Sequence, residues 1–137
     1  MLRNTHHGEA SMSRFLSAAL ALSIAILPGA AIAHSKLLSS SPAANATVAK
    51  PTKLTLTFSE TFMGPLSGVD LVMTGMPGMS DHPPMPIKGF KTAVAPDGKT
   101  MVVTLPRALP AGSYDLKWHI VGADQHKMEG GYSFKVK

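Results

Sequence analysis

Turn-forming residues interrupt residues 34–137 so often that no long helix fits between them. Glycine, proline, asparagine and aspartate cluster at residues 42–45, 64–65, 96–98, 106–112 and 130–131. Every segment that could have a helical period contains a glycine or proline, and both residues disfavour helix interiors. Short segments between closely spaced turns are typical of an all-β sandwich or barrel.

The segments between the turns alternate apolar and polar residues, as half-buried strands do. In residues 53–58, leucine and phenylalanine share one face, while lysine and threonine share the other. Three further rows have the same period: Met101, Val103 and Leu105; Tyr114, Leu116, Trp118 and Ile120; and Tyr132, Phe134 and Val136. About seven strands are predicted, at residues 36–40, 52–59, 69–74, 88–94, 100–105, 113–121 and 132–136. We therefore expect a Greek-key β-sandwich or small barrel.

Residues 1–33 predict a secretory signal peptide. An apolar run at residues 15–27 follows Arg14, and the small-residue pattern that ends at Ala33 suits cleavage there. Because this run is shorter than the roughly 20 apolar residues that span a bilayer, a retained anchor is the weaker interpretation. We expect export to the periplasm, a single domain at residues 34–137 and no stable membrane insertion after cleavage. Residues 1–11 look like an upstream extension, which leaves Met1 and Met12 as alternative translation starts.

Composition excludes several classes of function. Residues 34–137 contain eleven Lys or Arg against seven Asp or Glu, and the lysines are scattered, so nucleic acid is not expected as a partner. The chain has no cysteine, so the exported domain must be stable without disulfides. A blue-copper electron-transfer centre is also excluded, because that site requires a thiolate.

His34 would become the first residue after cleavage, and its amine and imidazole could then close a chelate ring on a metal. Asp124 and His126 lie two residues apart, so both point the same way in an extended chain. Nitrogen donors in a plane suit Cu(II). If the strands at both ends of the domain lie side by side, these residues meet in a Cu(II) site. Taken singly, the pair is an ordinary polar turn, and His119 is expected at the surface.

A methionine-rich segment, residues 73–86, does not fit the strand pattern. Its soft donors recur every three residues: Met73, Met76, Met79, His82 and Met85. Proline and glycine exclude a helix there, whereas polyproline II has the same period and would present the donors along one side. Neutral thioethers select Cu(I), so we expect a Cu(I) site. The alternative is apolar gap filling, which is equally plausible for Met73 because it is in phase with Val69 and Leu71.

Residues 34–137 resemble the CopC family of periplasmic copper-resistance proteins. The resemblance is carried by residues 34–51 (HSKLLSSSPAANATVAKP), 56–60 (LTFSE), 71–79 (LVMTGMPGM), 121–136 (VGADQHKMEGGYSFKV) and Trp118. It implies a cupredoxin-like (immunoglobulin-like) β-barrel with copper sites at opposite ends. The Cu(II) site would map onto His34, Asp124 and His126, and the Cu(I) site, which only some members have, onto Met73, Met76, Met79, His82 and Met85. The spacing from Met79 to Met85 is about one residue longer than the family form.

The resemblance also implies a function in which copper is carried or buffered, with an inner-membrane copper transporter of the CopD type as partner and no catalysis. The main alternative is an oxidative enzyme, because an N-terminal histidine with a second histidine also forms the histidine brace of copper monooxygenases. In this chain Asp124 would fill a position in the copper plane, and the domain is short for such an enzyme. A metal-free protein-interaction module is the third possibility.

Overall fold

Two facing β-sheets form the part of the chain that the computed structural model describes, residues 34–79 and 82–137. Their strands are β1 Leu37–Ser41, β2 Thr47–Val48, β3 Lys53–Phe58, β4 Gly68–Gly75, β5 Met85–Pro86, β6 Lys91–Val94, β7 Thr100–Thr104, β8 Gly112–Val121 and β9 Lys127–Val136. One sheet has the order β1-β3-β7-β6, and the other has the order β2-β9-β8-β4-β5. The predicted signal peptide, residues 1–33, lies outside the described residues.

The core lies between the sheets and is built from the alternating rows that the sequence predicts. Leu54, Leu56 and Phe58 are fully buried on β3, and the rows on β7 and β8 are buried as well. On β9 the row ends in buried Phe134 and Val136, with Tyr132 partly buried beside them. The apolar faces of the two sheets thus form one shared core, and their polar faces point outward, as a β-sandwich requires.

All seven predicted strands are present, but the prediction was wrong in two respects. The described residues contain two more strands, β2 and β5, of two residues each. Strand β9 begins at Lys127 because Gly130 and Gly131, predicted as a turn, lie inside it. Gly130 pairs with Trp118, and a Cβ atom at Gly130 would overlap the indole ring. These glycines are therefore explained by close packing, not by a turn.

Because β4 and β8 pair antiparallel, the methionine-rich segment after β4 lies far from the segment with Asp124 and His126 after β8. Gly68, where β4 begins, pairs with His119, and Gly75, where β4 ends, pairs with Ser113 near the start of β8. Residues 76–79 and 82–84, after β4, and residues 122–126, after β8, consequently lie at opposite ends of the same sheet. No helix among the described residues is long and apolar enough to cross a membrane.

Candidate metal centres

Asp124 and His126 lie in a tight turn that connects β8 to β9. The Gly122 carbonyl accepts a hydrogen bond from Gln125 N–H (2.9 Å), and Gly122 N–H donates to the His126 carbonyl (3.1 Å). Gln125 has a φ of 67°, in the left-handed region that turns use. The prediction that this segment is extended was wrong. The two side chains meet because the backbone turns, not because they share a strand face.

Asp124 orients the imidazole of His126. Asp124 Oδ2 lies 2.9 Å from His126 Nδ1, and Asp124 Oδ1 accepts a 3.1 Å hydrogen bond from His126 N–H. The pKa of Asp124 is lowered, first by the backbone N–H of His126 and then by its ring. Since the carboxylate is ionised and accepts only, Nδ1 must carry the proton and donate. In the neutral ring the Nε2 lone pair is then free for a metal.

His34 faces the Asp124 turn across an open cleft of about 360 Å³. The chain before β1 is fixed to the end of β3, because Lys36 N–H donates to Ser59 Oγ (2.9 Å) and Ser59 N–H donates to the Lys36 carbonyl (2.9 Å). The cleft is lined mainly by His34, Glu60, Thr61, Asp124, His126 and Met128. All three residues of the predicted Cu(II) set therefore line one cleft.

The three residues share this cleft for a different structural reason from the one predicted. Strands β1 and β9 do not pair side by side, since they belong to different sheets. Instead, His34 and the Asp124 turn lie at the same end of the sandwich. Among the described residues, no group of three or more His, Asp or Glu side chains is close enough to hold a metal ion as placed. Exposed His34 must therefore move toward the turn before the three residues can share an ion.

Glu60 is a residue of this cleft that the sequence reasoning did not select. It lies two residues after the end of β3, is exposed, and lines the cleft together with His34 and His126. The local sequence carries a weak signal, an acidic residue where a half-buried strand ends. Its distance along the chain from both histidines conceals the relationship, which depends on the pairing of β1 with β3. Glu60 can supply an additional hard oxygen donor.

Met76 and Met79 are held at the two ends of a tight turn. Met76 N–H donates to the Met79 carbonyl (3.1 Å), and Met79 N–H donates to the Met76 carbonyl (2.9 Å). Gly78 between them has a φ of 76°. Polyproline II was thus the wrong prediction for this part of the segment. Directly opposed residues in an antiparallel pair share a face, so the turn places both side chains on one side.

Met73 and Met85 are opposite each other in β4 and β5, yet they differ in exposure. Met73 is 3% exposed and belongs to the core, whereas Met85, on the outermost strand of its sheet, is 50% exposed. For Met73 the structure therefore supports the alternative of burial. Met76 and Met79 are also exposed, so three exposed methionine side chains lie in the turn after β4 and on β5.

His82 has one ring nitrogen that forms no hydrogen bond with any of the described residues. Its Nδ1 lies 2.7 Å from the carbonyl oxygen of Pro83, an acceptor, so Nδ1 carries the proton. Its Nε2 is buried and has no hydrogen-bond partner among the described residues, which omit positions 80 and 81. A buried imidazole nitrogen with a free lone pair is suited to a metal. His82 is also the described histidine closest in sequence to the three exposed methionines, so its Nε2 is the candidate nitrogen donor beside their sulfur atoms.

Residues 37–137 match the CopC domain family. The chain belongs to the CopC family. It is 47% identical over 107 residues to copper resistance protein C of Escherichia coli, across 78% of this chain and 84% of that protein. The crystal structure of selenomethionine PcoC, a copper resistance protein from Escherichia coli, has a TM-score of 0.70 and 46% identity, across 74% of this chain and 99% of the other.

CopC from Methylosinus trichosporium OB3b is a more distant structural relative, with 27% identity and a TM-score of 0.62, across 76% of this chain and 94% of the other. These likenesses confirm the β-sandwich fold that the sequence predicted. The CopC match includes the Asp124 turn and the methionine-rich segment, and it begins shortly after His34.

Proposed function

We propose that this CopC protein binds copper in the periplasm and carries or buffers it for copper resistance. The observation that carries the proposal is the cleft that His34, Asp124 and His126 line together. Family membership supports a role in copper resistance, because two relatives named above, copper resistance protein C and PcoC of Escherichia coli, are copper resistance proteins. Copper is the cargo in this proposal, and the protein performs no catalysis.

The cleft is proposed as the Cu(II) site. Removal of residues 1–33 frees the amine of His34, which then binds through its amine and imidazole nitrogens. In the metal-free protein Asp124 holds the proton of Nδ1 and leaves Nε2 of His126 free to bind the ion, and the Asp124 carboxylate then turns from Nδ1 toward the ion to complete the donor set. Movement of the terminal segment toward the turn closes the site, and Glu60 adds negative charge that favours a divalent cation.

The turn after β4, His82 and strand β5 are together proposed as the Cu(I) site. Met76, Met79 and Met85 supply neutral sulfur, and His82 supplies Nε2. Soft thioethers favour Cu(I), while the nitrogen and carboxylate donors of the cleft favour Cu(II). Reduction of the metal should therefore move copper from one end of the sandwich to the other, and an inner-membrane transporter of the CopD type is the proposed recipient.

Periplasmic protein, analysed by intact mass and metal content, tests the proposal. We expect a chain that begins at His34 and binds one Cu(II) with a tetragonal nitrogen and oxygen spectrum in electron paramagnetic resonance. The matched control has one alanine added before His34, which keeps the imidazole but converts the amine into an amide. A mature chain that starts beyond His34, or an extended variant with the wild-type spectrum, would refute the proposed Cu(II) site.

A further inference from the structure

Five of the described methionines fall into an exposed and a protected group, while Met63 and Met128 are intermediate in exposure. Met76, Met79 and Met85 are 41%, 57% and 50% exposed, whereas Met73 and Met101 are 3% and 1% exposed. Oxidation of a thioether requires an oxidant to reach the sulfur, so it depends on exposure. The three exposed sulfurs should therefore react first, and the two core methionines provide an internal comparison within the same molecule.

Local structure prevents the exposed group from withdrawing into the core. The doubly hydrogen-bonded turn holds Met76 and Met79 at the surface. Met85 lies on the outermost strand of its sheet, beside Met73, which already fills the core position on that face. The same exposure that would let these thioethers capture Cu(I) thus leaves them open to oxidants.

We propose that Met76, Met79 and Met85 form a modification site at which hydrogen peroxide produces methionine sulfoxide and thereby abolishes Cu(I) binding. With hydrogen peroxide, the Sδ lone pair attacks one oxygen, an S–O bond forms and the O–O bond breaks. The departing hydroxide takes the proton of the transferred hydroxyl and leaves as water. Sulfur loses two electrons and peroxide gains them. The effect on copper rests on the proposed Cu(I) site, whereas the modification itself does not.

Oxidation of the three methionines should abolish binding of Cu(I) and leave binding of Cu(II) unchanged. A sulfoxide is a polar group with an oxygen donor, which is harder than thioether sulfur and suits Cu(I) poorly. The proposed Cu(II) donors on His34, Asp124 and His126 contain no sulfur. Met128 lines the cleft but is partly buried, so it should react later than the exposed group. An oxidising periplasm would then leave a protein that binds Cu(II) alone.

Copper-free protein treated with increasing hydrogen peroxide tests the inference. Peptide mass spectrometry should locate three added oxygen atoms on Met76, Met79 and Met85 before any appears on Met73 or Met101. Competition with a Cu(I) chelator should then show affinity reduced by roughly tenfold or more, a loss of at least ~1.4 kcal/mol. The Cu(II) spectrum of the same sample should not change.

Two controls separate modification from general damage. Methionine sulfoxide reductases specific for each sulfoxide epimer should restore Cu(I) affinity, and the Met76→Leu, Met79→Leu, Met85→Leu variant should gain no early oxygen. Equal oxidation rates at Met73 and Met79 would refute the proposed modification site. Unchanged Cu(I) affinity after oxidation of all three methionines would refute the proposed effect on Cu(I) binding. If untreated protein does not bind Cu(I), the proposed Cu(I) site is wrong and oxidation has no Cu(I) binding to abolish. Peptide mass spectrometry would still show whether the three exposed methionines are oxidised first.

Discussion

Trp118 on β8 lies against the backbone of Gly130 on β9, where no side chain could fit. A Cβ atom at Gly130 would overlap Cζ2 of the indole, and the same ring packs at 4.9 Å against Phe58 in the facing sheet. The absence of a side chain on one strand therefore allows the largest aromatic residue of the core to lie between the sheets.

Gly130→Ala should destabilise the domain by about 1–3 kcal/mol, the range for overpacking a filled core. Chemical denaturation followed by Trp118 fluorescence measures the loss. Gly75→Ala is the matched control, because a Cβ atom there meets its nearest neighbour, Ser113, at 3.8 Å, an ordinary contact. Equal stability of wild type and Gly130→Ala would mean that the indole does not depend on this glycine.

Asp97→Asn should remove an acid-sensitive contribution to stability. The pKa of Asp97 is lowered, first by the Thr100 hydroxyl, which donates to Oδ2 (2.7 Å), and then by the Lys99 N–H, which donates to Oδ1 (2.8 Å). A lowered folded-state pKa stabilises above the ordinary value of 3.8, and that stabilisation is lost as the pH falls through the lowered pKa.

The difference in thermal stability between wild type and Asp97→Asn should consequently be largest near neutral pH and disappear in acid. Asp70→Asn is the control, since this exposed carboxylate makes no side-chain hydrogen bond among the described residues. A difference that persists unchanged below the lowered pKa would argue against an ionic contribution from Asp97.

Asp124→Asn should weaken Cu(II) binding by roughly 10–100-fold, the usual effect of removing a carboxylate that orients a ligating histidine. His126→Ala should weaken it further, because it removes the nitrogen donor itself. Competition with a Cu(II) chelator measures both. Wild-type affinity in Asp124→Asn would show that the hydrogen bond to His126 does not prepare the site.

Glu60→Gln should weaken Cu(II) binding less than Asp124→Asn does, because Glu60 acts through its charge at the edge of the cleft. The same competition assay measures the change, and added salt should reduce the difference from wild type. Glu129→Gln is the charge-matched control, since Glu129 is exposed, pairs with Lys127 at 2.7 Å and does not line this cleft.

The triple replacement of Met76, Met79 and Met85 by leucine should abolish Cu(I) binding without a large loss of stability, because leucine keeps much of the apolar volume. Met73→Leu is the control and should retain Cu(I) affinity, since Met73 is a core residue. A competition assay with a Cu(I) chelator compares them. Wild-type affinity in the triple variant would mean that these methionines form an apolar surface instead of a metal site.

The alternating rows could be predicted from sequence because burial on one face of a strand leaves a period of two, as Leu54 and Leu56 show. Gly130 could not be interpreted in this way. A glycine that admits a neighbouring indole has the same local signature as a glycine in a turn. Only the pairing of β8 with β9, which links positions twelve residues apart, distinguishes the two.

The sequence predicted that His34, Asp124 and His126 lie close together, and they do line one cleft, but it did not predict the geometry that brings them there. Asp124 and His126 were found through their spacing, although a turn and not a strand brings them together. Glu60 was missed because its relation to His34 arises from strand pairing. Burial of Met73 could be weighed from sequence because it is in phase with Val69 and Leu71, whereas the exposure of Met85 depends on which strand lies at the sheet edge.

The antiparallel register of β4 and β8 has an electrostatic consequence. Strand β8 has ten residues, and at ~3.3 Å per residue it separates the two ends of the sheet by about 30 Å. Screening by salt reduces interactions between charges beyond ~8 Å at physiological ionic strength. Ions bound at the two ends would therefore hardly repel each other. Each site should fill as though the other were empty, so occupancy of the protein would follow the sum of two independent binding curves.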